Sequence, residues 1–218
     1  MKRKIQTMIW GIGLLLASQA VNAKSLRELW ISMPDSLAFT LNQSMRTELV
    51  ELQEMGVKSE VTNVLGSNAV LDTLTRDFAQ VRLSKAATLQ LKLLPYDAGK
   101  DSLLCMVKTY AAPEKESEVL FFNQKWESLK PSDFFGSQSF DDILNSLIEK
   151  PDTMSEEKFE EIKAMLEPKM MSALLFQHEN MIVFRLSLPL LSAEEKKQVN
   201  AVKVQRKFKW IGNKFNES

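Results

Sequence analysis

The 218-residue chain balances 28 Lys and Arg against 28 Asp and Glu, so it lacks the basic excess that nucleic-acid binding usually shows. Its one cysteine excludes an intramolecular disulfide framework, and its one histidine offers no His/Cys metal-ligand spacing. A chain of this length buries a core without staples, as one large domain or two small subdomains.

The N-terminus carries Lys2, Arg3 and Lys4, then an apolar run over 8–17 and a short polar stretch ending in Val21-Asn22-Ala23. Small residues at these last positions predict a secretory signal peptide over 1–23, cleaved after Ala23. The apolar run falls short of the roughly 20 residues that a membrane-spanning helix needs. No cysteine stands near the cleavage point to take a lipid anchor. Residues 24–218 then form a soluble periplasmic or secreted protein with a formal charge of −3 and no integral membrane segment. Cys105, inside the apolar run 103–107, reads as a buried, inert thiol.

Ser32 and Asp35 stand at capping-box spacing around Pro34, and apolar residues recur at Leu37, Leu41, Met45, Leu49, Leu52 and Met55 before Gly56. This predicts one amphipathic helix laid on a sheet, with Arg46, Glu48, Glu51 and Glu54 on its solvated face. Strand patterns follow at 60–65, 69–74, 78–84, 88–94, 103–110 and 118–123, joined by short turns that favour antiparallel pairing. Strands 103–110 and 118–123 are apolar on both faces, as covered central strands are. A connection over 127–138 leads to a helix defined by Phe140, Ile143, Leu144, Leu147 and Ile148. A second helix, capped by Thr153 with Glu156, buries Phe159, Ile162 and Leu166. Strands at 172–176 and 181–188 turn through His178-Glu179-Asn180. Ser192 with Glu195 caps a short helix, and a last strand at 203–211 turns at Gly212-Asn213. The predicted class is α+β: an antiparallel sheet flanked by helices. Two similar helix-plus-meander halves, 24–131 and 132–218, are expected side by side, sharing one sheet.

Several segments resemble an uncharacterised family of exported proteins from Gram-negative anaerobes, domain of unknown function 3256. They are Met33-Pro34-Asp35-Ser36-Leu37, Glu60-Val61-Thr62-Asn63 with Leu65-Gly66, and Leu74-Thr75-Arg76-Asp77-Phe78 with Leu83-Ser84. Phe121-Phe122 with Trp126, and the terminal Trp210-Ile211-Gly212-Asn213-Lys214-Phe215, extend the likeness over most of the chain after residue 23. The resemblance implies export and a common fold, and it carries no catalytic residue.

The residues themselves assign no catalytic, metal-binding or cofactor-binding position. His178 reads as a solvated turn residue, and Gly136-Ser137-Gln138-Ser139 lacks the Gly-x-Ser-x-Gly nucleophile elbow. Glu156, Glu157, Glu160 and Glu161 interleave with Lys158 and Lys163 as on a solvated helix face. Asp133, Asp141 and Asp142 lack the calcium-loop pattern. In the final strand, Lys203, Gln205, Lys207 and Lys209 alternate with Val204, Phe208 and Trp210. Lys203, Lys207 and Lys209 form a candidate strip for an anionic partner such as a glycan, a peptide carboxylate or a lipid head group. The competing reading makes them guards of an exposed strand edge. Four Asp-Ser/Thr-apolar tripeptides begin at Asp35, Asp72, Asp101 and Asp152. Under the resemblance, Ser36, Ser102 and Thr153 are candidate O-glycosylation positions, though such residues also cap helices and start turns. The leading expectation is a non-enzymatic binding or interaction module for an envelope protein or glycan. The alternatives are a carboxylate-dependent hydrolase and a carrier of an apolar small molecule.

Overall fold

The computed structural model describes residues 24–99, 101–111, 114–167, 169–187, 191–199, 202 and 204–218. The expected signal peptide and Lys203 lie outside the described residues. The fold is α+β, and its strands follow the sequence pattern closely. β1 (Glu60–Thr62), β2 (Asn68–Leu74), β3 (Phe78–Arg82), β4 (Ala87–Tyr96), β5 (Asp101–Ala111), β6 (Lys115–Phe122) and β7 (Ser128–Leu129) form one antiparallel meander in chain order. Side chains alternate between its faces. Leu71, Val81, Leu89, Leu91, Leu104 and Met106 face the N-terminal helices, while Leu94, Leu103, Cys105, Val107 and Phe121 face the second half of the chain. Leu103 to Val107 are therefore buried without a break, as their composition predicts.

One helix is predicted across residues 35–55; the structure keeps only its later part and places a separate, unpredicted helix before it. α1 (Leu26–Ser32) is opened by a Ser25–Glu28 capping box, and Ser32 is its last residue rather than a cap. Pro34 disfavours helical geometry at Met33, which is extended at φ −58° and ψ 134°. α2 (Gln43–Glu54) begins afresh at Asn42, whose side chain accepts from the Met45 N–H. Its end is a Schellman turn, in which the Val57 N–H reaches the Leu52 carbonyl and Gly56 takes φ +70°. Arg46, expected on the solvated face, is 1% exposed. Its guanidinium donates to the carbonyls of Trp30, Ile31, Met33 and Leu41 and pairs with Asp35 at 2.8 Å, while the Trp30 indole donates back to the Arg46 carbonyl. One cation thus satisfies the open carbonyl end of α1 and fastens it to α2.

The second half contributes α3 (Phe140–Ser146), α4 (Glu156–Met165) and α5 (Ala193–Val199), with β8 (Met170–Leu175), β9 (Met181–Ser187), β10 (Gln205–Ile211) and β11 (Lys214–Glu217). Ser155, not Thr153, caps α4, because its hydroxyl is the one that accepts from the Lys158 N–H. The Ser192–Glu195 cap of α5 is present. The expectation of one shared sheet gives way to two, since β8 to β11 form a separate antiparallel sheet in the order β11-β10-β9-β8.

The cause lies in how β8 meets the meander. Its outer edge lies against the face of the first sheet, where side chains replace a partner strand. The Ala173 N–H donates to Ser117 Oγ at 2.9 Å, and the Leu175 N–H to Gln90 Oε1 at 3.0 Å. Gln90 Nε2 returns a bond to the Leu175 carbonyl, and Lys92 Nζ donates to the Gln177 carbonyl at 2.8 Å. Lys92 also pairs with Asp77 at 2.8 Å. Buried backbone groups must find partners, and here they find them without strand pairing. An aromatic cluster closes the core beneath: Phe135 stacks on Phe215 at 5.0 Å and meets Phe208 edge-on at 5.5 Å.

Candidate functional site

Along β10, Phe208 and Trp210 are buried while Lys207 and Lys209 are exposed, the alternation expected of the strip. β10 is hydrogen-bonded to β9 on one side and β11 on the other, so the edge-guard reading of its lysines fails: they stand in the interior of a sheet. Arg206 turns inward, donating to the Ser146 carbonyl at the end of α3 and pairing with Glu217.

Register fixes the neighbours of the two lysines. Lys207 stands opposite Val183, Lys209 opposite Met181 and Asn216, and Gln205 opposite Arg185. Lys214 stands opposite Ile211. Directly paired residues share a face, so Arg185, Lys207, Lys209 and Lys214 emerge together on the outer face of the second sheet. No Asp or Glu of β8 to β11 shares that face, because Glu217 pairs with Phe208 and belongs to the other side.

The same face runs into a cleft of about 380 Å³ between the two sheets. Its wall carries Lys85 and Lys115 from the first half and Arg185 from the second, with the hydroxyls of Thr88, Thr109 and Ser172. No carboxylate is among the described residues that line it. Among the described residues, none of Lys85, Lys115, Arg185, Lys207, Lys209 and Lys214 makes an ion pair; elsewhere Arg27, Arg82, Lys158 and Lys163 each hold a carboxylate, while Lys24, Arg76, Lys125, Lys130 and Lys197 are also without one. Cations concentrated without counter-charge raise the local potential and attract anions.

Of the predicted strip, the structure places Lys207 and Lys209 on this face. Sequence pattern missed the rest. Lys85 and Lys115 adjoin hairpin turns far from β10 in the chain, and only folding brings them to the cleft. Arg185 carried one local signal, as the exposed break in the otherwise buried strand β9.

Two other hollows bear on the alternatives. One of about 510 Å³ collects two carboxylates, Glu28 and Asp77. Glu28 accepts from the Ser25 N–H and hydroxyl, bonds that hold its carboxyl below the usual range, and Asp77 is paired with Lys92. The other, about 260 Å³, is lined by apolar residues including Phe39, Leu65 and Tyr110. It is smaller than usual small-molecule pockets of roughly 300–1,000 Å³. His178 is exposed in the β8–β9 turn, and burial pushes the Cys105 thiol far up. Ser36 and Thr153 are exposed and Ser102 is half-buried; with Ser155 as the cap, the Thr153 hydroxyl is not needed for α4. Among the described residues, no helix is long and apolar enough to cross a membrane.

The family model described as "Protein of unknown function (DUF3256)" matches residues 18–215. The chain belongs to this family. A solved structure of a domain of an uncharacterised protein from Porphyromonas gingivalis W83 is similar, with a TM-score of 0.72 and 20% identity. The match covers 90% of this chain and 100% of that one, and at this identity it shows the fold alone. No curated protein matches the chain.

Proposed function

We propose that this DUF3256 protein is an exported, non-enzymatic binding module that holds an anionic partner across the outer face of its second sheet and the adjoining cleft. The observation that carries this reading is the segregation of charge. Six cations without ion pairs gather on one side of a chain whose formal charge is zero. Exposed lysines are normally neutralised or dispersed, and a large single-sign field is otherwise a cost to the compact state. In the hollow that Glu28 and Asp77 share, both carboxylates are committed to local hydrogen bonds or ion pairs, which favours binding over acid–base chemistry there. Export is expected from the signal-peptide pattern before Lys24.

The test uses residues 24–218 and an immobilised polyanion, dextran sulfate, at about 0.15 M salt, where charges separated by more than about 8 Å are screened. The wild type should be retained, and Lys207→Gln/Lys209→Gln/Lys214→Gln should elute early. A charge-matched control, Lys150→Gln/Lys158→Gln/Lys163→Gln, removes cations that already hold carboxylates and should be retained like the wild type. Equal loss in both triples would mean that net charge alone governs retention and would reject the site.

A further inference from the structure

We infer that the partner is an extended acidic polypeptide segment whose carboxylates alternate with apolar side chains; this rests on the anion-binding reading above and names its occupant. The face is not simply basic. Lys207 stands opposite Val183 and Lys209 opposite Met181, both apolar residues already buried, while Lys214 stands opposite the exposed Ile211. Leu174, opposite Val183 on the next strand, is 44% exposed, and Ile211 is 63% exposed. An occupant that meets only the charges leaves Leu174 and Ile211 in water.

Spacing narrows the choice further. Lys207 and Lys209 are two residues apart on one strand, a repeat of about 7 Å, which is also the repeat of alternate side chains in an extended peptide. From Gln205, beside Arg185, to Ile211, beside Lys214, β10 covers about 20 Å, the length of some six extended residues. A sugar polyanion or an inorganic phosphate supplies the negative charges without apolar groups in register. A lipid surface supplies both, but a flat bilayer cannot follow the face into the cleft where Lys85 and Lys115 stand. Nor do β8 to β11 present on this face any of the aromatic residues that membrane-interface proteins favour. A single chain can lie on the sheet and pass its end into the cleft.

The test is fluorescence anisotropy with residues 24–218 and labelled peptides of about six residues. One alternates Glu with Leu and the other alternates Glu with Gly; polygalacturonate and phosphatidylglycerol vesicles serve as competitors. The Glu–Leu peptide should bind about tenfold more tightly than the Glu–Gly peptide, a difference of roughly 1.4 kcal/mol. Lys207→Gln/Lys209→Gln should weaken the Glu–Leu peptide about tenfold, and Ile211→Ser should erase part of its advantage over Glu–Gly. Equal binding of the two peptides, or stronger binding of polygalacturonate or vesicles than of Glu–Leu, overturns the acidic-peptide inference and leaves anion binding standing. Failure of every anionic probe overturns both.

Discussion

Strands β4 and β10 carry the same pattern and meet opposite fates. In β4, Thr88, Gln90 and Lys92 take every second position; in β10, Gln205, Lys207 and Lys209 do. Yet the Lys92 side chain is 2% exposed, while Lys207 and Lys209 stand in solvent. The difference is that the second half of the chain lies on the polar face of β4, and nothing among the described residues lies on that of β10. Alternation separates two faces of a strand without saying which one is wet. Where a polar face is covered, its side chains become the joint of the molecule; where it is open, they remain available to a partner.

The contrast between covered and open polar groups makes its strongest claim in α2. Arg46 and Glu48 both read as surface residues, but Arg46 holds four carbonyls of the α1–α2 connection. Arg46→Ala should cost about 3–5 kcal/mol, as removing one partner of a buried charged network does. Glu48→Ala should stay within about 0.5 kcal/mol. Urea denaturation of both variants measures this, and comparable losses would erase the distinction.

The joint itself should respond next most strongly. Lys92→Ala leaves the Gln177 carbonyl without its donor and opens a cavity beside Gln90, so a loss of about 3 kcal/mol is expected. Lys207→Ala should change stability by no more than about 0.5 kcal/mol. If Lys92→Ala proved as mild as Lys207→Ala, the seam of side-chain bonds would not be what holds the halves together.

These pairs also mark how far the sequence could be read. The meander was legible because each strand alternates and each link is a short turn, and the covered strand β5 announced itself by its unbroken apolar run. The true start of α2 was harder to see, because the apolar stripe that begins at Leu37 and Leu41 runs in phase into the helix that opens only after Asn42. The second sheet was missed as a separate body, since Gln90 and Lys92 look like solvent-facing residues until β8 is laid against them. For the site, β10 alone gave Lys207 and Lys209. The remaining cations join them through register and tertiary packing, which no local pattern encodes.

The smallest effect concerns acid. The Ser139 hydroxyl, and then its N–H, donates to Asp142 at the start of α3 and holds that carboxyl below the usual range. Because the folded pKa is the lower one, this cap contributes fully above the ordinary carboxylate value of about 3.9. Its contribution is lost as pH falls through the depressed folded value. Ser139→Ala should raise the Asp142 pKa towards the ordinary value and bring that loss to higher pH, as carbonyl NMR titration would show. No upward movement would mean that the hydroxyl does not stabilise the charged form. The lysines of β10 have no such partner, and their variants should leave the acid limb of stability unchanged.

Whether the open face of β10 holds an acidic peptide is read directly by amide NMR titration of residues 24–218 with the Glu–Leu peptide. Saturable shifts should be confined to β9, β10 and β11 and to the hairpin turns bearing Lys85 and Lys115, with Lys92 and the α2 amides unmoved. Shifts centred on α2 or α4, or the absence of any saturable shift, would contradict peptide binding at this face.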